Sequence, residues 1–231
     1  MKKAIGIIGG MGPMATCDLM KKIIENTDAA CDQAHIRMFV DNNTNIPDRT
    51  AAILRGGADP RPALIESAHK LQSMGADLLI MPCNTAHYFE KDVADAVEIP
   101  VLNMQRETAK QLSEQGITCV AVLATDGTVQ SGLYDVALKN AGISPVYPVP
   151  EEQKMIMSMI YDYVKAGKAF TDLQRVNTMI DRLRKQGAQG LILGCTELPI
   201  AFAPWQTAIP TFDPTLILAR AAVTAAGYQT R

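Results

Sequence analysis

The chain lacks several things that would have placed it quickly. No apolar run approaches the roughly 20 residues needed to cross a bilayer, which argues against a membrane-spanning protein. Neither charge sign is in excess, with 22 basic and 24 acidic residues and a formal net charge of -2, so neither a nucleic-acid surface nor a polybasic membrane patch is expected. The three histidines, His35, His69 and His87, do not stand at metal-ligand spacing. The five cysteines are odd in number, widely spaced and without a CxxC pair. That pattern excludes a zinc knuckle or a disulfide framework and predicts a reducing, cytoplasmic setting with no bound metal. No low-complexity segment or flexible linker interrupts the chain. Hydrophobic residues at 48% and charged ones at 20% fit an ordered globular protein whose partner is a small molecule. The start, Lys2-Lys-Ala-Ile-Gly-Ile-Ile-Gly9, reads as a first strand rather than a signal peptide.

What the chain does have is one short cysteine motif written twice. Gly75-Ala-Asp-Leu-Leu-Ile-Met-Pro-Cys83-Asn-Thr85 matches Gly187-Ala-Gln-Gly-Leu-Ile-Leu-Gly-Cys195-Thr196, with equal spacing from the Gly-Ala pair to the cysteine. Each copy reads as a turn, a short apolar strand and a thiol at the strand end. Ile99-Pro-Val-Leu-Asn-Met104 and Ile209-Pro-Thr-Phe-Asp-Pro214 extend the correspondence. Two related halves are expected, each offering one thiol.

Short β-branched apolar runs alternate with longer amphipathic ones. Strands are predicted at 3–8, 36–40, 78–81, 101–102, 119–123, 145–147, 191–193 and 211–212, and helices at 63–74, 86–97, 151–166, 173–186 and 216–226. Such alternation specifies βα units and parallel sheets. The predicted fold is α/β, with two pseudo-symmetric Rossmann-like lobes, mainly parallel sheets and the active site in the cleft between them. The first lobe is assigned to 1–102 plus 214–231 and carries Cys83. The second is assigned to 103–213 and carries Cys195. In open sheets of this kind ligands sit at the carboxyl ends of the strands, where both repeated cysteines fall. The longest loop is expected at 41–49, followed by 56–60.

Gly9-Gly-Met-Gly-Pro13 follows the first strand. Gly10 to Ala15 spells a GxGxxA dinucleotide fingerprint, but the acid that closes the next strand, Asp41, stands well beyond its expected place. Open amides in this turn would suit any anion, an amino-acid carboxylate included. Cys17 and Cys119 read as small buried hydrophobes. Cys83 and Cys195 differ, because each ends a strand and precedes residues that open helices. There the positive end of the helix dipole is expected to lower a thiol pKa.

The residues now on the page resemble the aspartate/glutamate racemase superfamily, and within it the aspartate racemase branch. The resemblance runs through Ile7-Ile-Gly-Gly-Met-Gly-Pro13, Asn45-Ile-Pro-Asp-Arg49, Pro82-Cys-Asn-Thr-Ala-His87, Leu123-Ala-Thr-Asp-Gly-Thr128 and Leu193-Gly-Cys-Thr-Glu-Leu198. Glutamate racemases are similar too, but carry Asp-Ser-Gly after the first strand and a His after the second Cys-Thr. Gly10-Met-Gly12 and Glu197 stand at those places here. The resemblance implies a cofactor-independent amino-acid racemase, with aspartate or the related glutamate as substrate and a homodimeric assembly. Cys83 and Cys195 are the implied proton-transfer pair. Asn84, Thr85, Thr196 and the amides around Gly10 and Met11 are candidates to stabilise the α-carboxylate. Arg49, in the long loop, and Lys165 are the implied cations for the side-chain carboxylate. Tyr161 is a candidate pocket residue, Thr128 a candidate binding residue and His87 either a tuner of the Cys83 thiolate or a buried hydrogen-bonded histidine. A decarboxylase or other isomerase of the superfamily, and a non-catalytic dicarboxylate sensor, are the competing functions.

Overall fold

The computed structural model describes residues 2–231, which divide into two compact units, 2–107 with Thr215–Arg231, and Thr108–Pro214. In the first unit β1 (Ile5–Gly9) lies between β2 (Met38–Asn42) and β3 (Leu78–Ile80), all parallel. Val101 adds a parallel bridge to Leu79 on the open side of β3. In the second unit β4 (Cys119–Ala124) lies between β5 (Ser144–Val146) and β6 (Leu191–Gly194), and β7 (Thr211–Phe212) pairs with β6, again all parallel. The internal repeat of the sequence is therefore a repeat of strand order.

The helices of the first unit are α1 (Pro13–Asn26), α2 (Arg49–Arg55), α3 (Arg61–Ser73) and α4 (Glu90–Asp95). The chain passes to the second unit along α5 (Met104–Glu114), and α6 (Asp126–Gln130), α7 (Leu133–Asn140), α8 (Pro150–Ser158), α9 (Leu173–Lys185) and α10 (Leu198–Phe202) follow. The last helix, α11 (Pro214–Ala225), carries the chain back into the first unit.

The strands are apolar on both faces because both faces are covered. Ile5, Ile7, Leu78 and Ile80 pack with Leu19 and Ile23 of α1 and with Leu218 and Val223 of α11. Alternation turns Ile8, Leu79 and Met81 to the other side, onto Leu64, Ala68 and Leu71 of α3. In the second unit Ala121, Leu123, Leu191 and Leu193 meet Ile156 of α8, Met179, Ile180 and Leu183 of α9, and Leu198 and Phe202 of α10.

Three expectations are corrected. The loop placed at 41–49 and 56–60 is shorter, since β2 runs through Asn42 and α2 fills Arg49–Arg55. Asp48 caps α2 by accepting a 2.6 Å hydrogen bond from the Ala51 amide, a local signal that the run of loop residues around it conceals. The helix predicted at 86–97 is a 3-10 helix, Thr85–Phe89, that passes into α4, and the one predicted at 151–166 is α8 followed by a π-helical turn, Met159–Val164. Of the cysteines taken as buried, Cys17 is exposed on α1, and Cys119, the first residue of β4, is only half-buried.

In the glycine turn after β1 the Gly10 position is closed. Gly10 has a φ of 91°, and a Cβ there would lie 2.3 Å from the main-chain carbonyl of Asn43. Its amide is already used, donating to Thr16 Oγ1 at 2.9 Å. That amide is thus removed from the expected set of substrate donors. Replacing Gly10 with Ala is expected to lower unfolding stability by about 2 kcal/mol or more, the order of cost for a side chain forced into such backbone. Urea denaturation checks this, and a variant as stable as the parent contradicts it.

Candidate active site

In the first unit Cys83 stands just beyond the end of β3 and is 8% exposed. It packs in one apolar cluster with Met11 from the β1 turn and Ile46 from the segment before Arg49. The turn that follows is held by a side chain bonded to its main chain. Gln105 Nε2 donates to the Asn84 carbonyl at 3.1 Å, and Asn84 and Thr85 are both buried.

His87 ties the same turn to α5. The Met104 amide donates to His87 Nε2 at 3.1 Å, so that nitrogen is the unprotonated one, and Nδ1 donates to the Cys83 carbonyl at 2.9 Å. Both ring nitrogens are thus spent on the backbone. The role of thiolate tuner expected for His87 is replaced by that of a clamp on the Cys83 main chain. Burial holds its pKa below the ordinary 6.5, although the Cys83 carbonyl and Glu90 act in the opposite direction.

Arg49 is the first residue of α2, not a loop residue, and α2 packs against the 3-10 helix that follows Cys83. Its Nη1 donates to the carbonyls of Ile46 at 3.2 Å and Pro47 at 2.9 Å, while Nε is buried and without a hydrogen-bond partner among the described residues. The first unit therefore gathers Met11, Arg49, Cys83, Asn84 and Thr85 at the carboxyl end of its sheet.

In the second unit Cys195 directly follows β6 and is half-buried. Its Sγ donates to Glu197 Oε2 at 2.9 Å. The Thr196 hydroxyl donates to the same oxygen at 3.1 Å, and Lys165 Nζ, from the end of the π-helical turn, donates to Glu197 Oε1 at 2.6 Å. Lys165 also lies 5.8 Å from the centre of the Tyr161 ring. Four predicted residues, Tyr161, Lys165, Cys195 and Thr196, thus converge around Glu197. The sequence marks Glu197 as a helix-opening residue and as a departure from a histidine, not as a partner of Cys195. The available signal was an acid two residues after the second cysteine and one cation, Lys165, in need of a partner.

The electrostatics of this cluster reverse one expectation. The Cys195 thiol is not lowered by a helix end; it is pushed well above the ordinary thiol range, first by burial, then by the charge and hydrogen bond of Glu197, with Lys165 acting in the opposite sense. The reason lies in the elements themselves. Helix α10 spans only Leu198–Phe202, and Glu197, at its N-cap, turns its carboxylate to the thiol instead of capping it. Burial alone would raise the Glu197 carboxyl, but Lys165 and the hydrogen bonds from Cys195, Lys165 and Thr196 together hold it below the usual 4.5.

Thr128 stands apart from these contacts, and Tyr161 joins them only through Lys165. Thr128 lies in the first turn of α6, where its amide donates to the capping Thr125 Oγ1 at 3.3 Å and its hydroxyl accepts from Thr125 at 3.2 Å. Tyr161, 37% exposed, also lines a surface cavity of ≈ 640 Å³ with Asp126, Gln153 and Met157.

A parallel α/β unit, repeated, with a cysteine beyond the carboxyl end of the equivalent strand in each copy, places the chain in the class of two-unit parallel α/β proteins. The chain belongs to the Asp/Glu/hydantoin racemase family, whose model matches residues 8–222. It is similar to an aspartate racemase of Picrophilus torridus, with 34% identity, 99% of this chain and 96% of that one covered, and a TM-score of 0.83. An aspartate racemase homologue from Pyrococcus horikoshii OT3 is 26% identical, with 97% and 99% covered and a TM-score of 0.81. A broad-specificity amino-acid racemase of Bacillus subtilis (strain 168) is 27% identical over 225 residues, 95% of this chain and 96% of that protein. Among the described residues no helix is long and apolar enough to cross a membrane.

The His87 clamp has a pH signature. A histidine whose folded pKa lies below its unfolded value stabilises the fold fully above about pH 6.5, and that contribution is lost as pH falls through the lowered value. Thermal unfolding is expected to show a drop in Tm below about pH 6.5 that is shallower in a His87→Gln variant. Parallel Tm profiles for the two proteins contradict the clamp.

Proposed function

We propose that this protein is an aspartate racemase that needs no cofactor and inverts the substrate by two-base proton transfer between Cys83 and Cys195. The observation that carries the reading is the duplicated placement of a thiol at a strand's carboxyl end, one in each unit, beside hydroxyl and amide side chains. Membership of the racemase family and the likeness to an aspartate racemase at 34% identity support it.

In the proposed reaction one cysteine, as thiolate, takes the α-proton, and the Cα–H bond becomes a carbanion delocalised into the α-carboxylate. The other, as thiol, delivers its proton to the opposite face. The first cysteine ends as thiol and the second as thiolate, so atoms and charge balance and the reverse reaction exchanges the roles. Asn84, Thr85 and Thr196 are assigned to the α-carboxylate as its charge grows. Arg49 and Lys165 are assigned to the side-chain carboxylate. Arg49 already has two carbonyls fixing its guanidinium and a buried Nε to spare, which leaves a fork suited to a carboxylate. A related broad-specificity racemase makes glutamate and neutral amino acids the comparison substrates.

Chiral chromatography of L-aspartate and D-aspartate incubated with the protein tests the assignment. Cys83→Ser and Cys195→Ser are each expected to lower the inversion rate roughly a hundred- to ten-thousand-fold, the usual worth of a positioned acid or base. Arg49→Met is expected to raise the KM for aspartate about ten- to a hundredfold, as loss of a charge-assisted hydrogen bond implies. No inversion of either enantiomer, or full activity in either cysteine variant, rejects the proposal.

A further inference from the structure

Glu197 has no part in the proton transfers just described, yet it makes the most hydrogen-bonded contacts of the second unit's cluster. Its two oxygens receive three donors, the Cys195 thiol at 2.9 Å, the Thr196 hydroxyl at 3.1 Å and the Lys165 ammonium at 2.6 Å. Its side chain is 11% exposed, and that of Lys165 33%. A carboxylate so placed is anchored by the lysine and cannot turn to solvent without abandoning the pair.

The chemistry of the sulfur follows from this geometry. Only a protonated thiol can donate a hydrogen bond. A thiolate in the same place would set two anions against each other with little water between them. We infer that Glu197 fixes the protonation state of Cys195 in the substrate-free protein, holding it as the thiol. On the racemase reading, on which this consequence rests, the substrate-free protein is set for the enantiomer whose α-proton faces Cys83, with Cys195 as proton donor, and the opposite direction starts from the less populated ionisation state. Glu197 is thus a positioning residue that acts through Cys195. Because the equilibrium constant between enantiomers is one, this asymmetry leaves the two directions with equal kcat/KM and divides instead between kcat and KM.

The groups facing the thiol come from three elements. Glu197 enters from the turn before α10, Lys165 from the π-helical turn, and Tyr134 from α7, with Asp213 beyond it. Tyr134 is buried, which keeps its phenol neutral and well above the ordinary range. Glu197 raises the thiol and Lys165 lowers it, so the inference predicts shifts of opposite sign when each is removed.

The test is the pH dependence of Cys195 alkylation by iodoacetamide in the substrate-free, full-length protein, read by mass spectrometry of the Cys195 peptide. Only the thiolate reacts, so the midpoint reports ionisation. Glu197→Gln is expected to move the midpoint down by one pH unit or more, a tenfold rise in thiolate at a given pH. Lys165→Met is expected to move it up. A midpoint that is unchanged or higher in Glu197→Gln overturns the inference, as does one that is unchanged or lower in Lys165→Met. Should Glu197→Gln fail to fold by circular dichroism, Lys165→Met decides alone. No substrate is present, so failure of the racemase reading would show in the chiral assay and leave this result standing.

Discussion

Short parallel strands buried on both faces leave a polar side chain only one place to go. Ile5, Ile7, Leu78 and Ile80 face one helical layer and Ile8, Leu79 and Met81 the other, so the strand bodies are committed to packing. The same holds for Ala121, Leu123, Leu191 and Leu193 in the second unit. Polar chemistry is pushed to the turns beyond the carboxyl ends, and Cys83 and Cys195 both stand there. The position of each thiol is thus a consequence of how the sheet is covered.

The two copies share that position and differ in how it is furnished. The clamps on the Cys83 turn are backbone groups and neutral side chains. His87 spans from the Cys83 carbonyl to the Met104 amide, and Gln105 holds the Asn84 carbonyl. Around Cys195 the protein uses charge, with Glu197 set between the thiol and Lys165. A duplicated fold thereby carries two thiols with unequal surroundings. An inversion that passes a proton from one face of a carbon to the other starts from such a difference, since one group must begin with the proton and the other without it.

Much of this was legible in the residues. The apolar runs around Ile7, Leu79, Val122 and Ile192 marked the central strands, because strands covered on both faces lose their polar alternation. The duplicated Gly-Ala to cysteine spacing located both thiols, and the resemblance of the motifs at 7–13, 45–49, 82–87, 123–128 and 193–198 located the family. What was not legible depended on long-range partners or on short-range geometry that composition does not encode. Arg49 was read as loop because the α2 signal is a single capping Asp48 and the helix is only 7 residues long. The His87 clamp depends on Met104, brought near it by the chain's return along α5. Glu197 and Lys165 meet across 32 positions of sequence, through the packing of α10 on the π-helical turn. The expected lowering of the Cys195 thiol failed because burial, and after it the carboxylate of Glu197, outweigh the weak dipole of a one-turn helix.

The central claim is that two groups, not one, handle the proton. It is tested most directly with α-deuterated L-aspartate in ordinary water, followed to low conversion by mass spectrometry of each separated enantiomer. Two-base transfer through Cys83 and Cys195 predicts D-aspartate carrying a solvent-derived proton, while the remaining L-aspartate keeps its deuterium. D-aspartate that retains the deuterium would show that one group removes and returns the same proton, and would contradict the account.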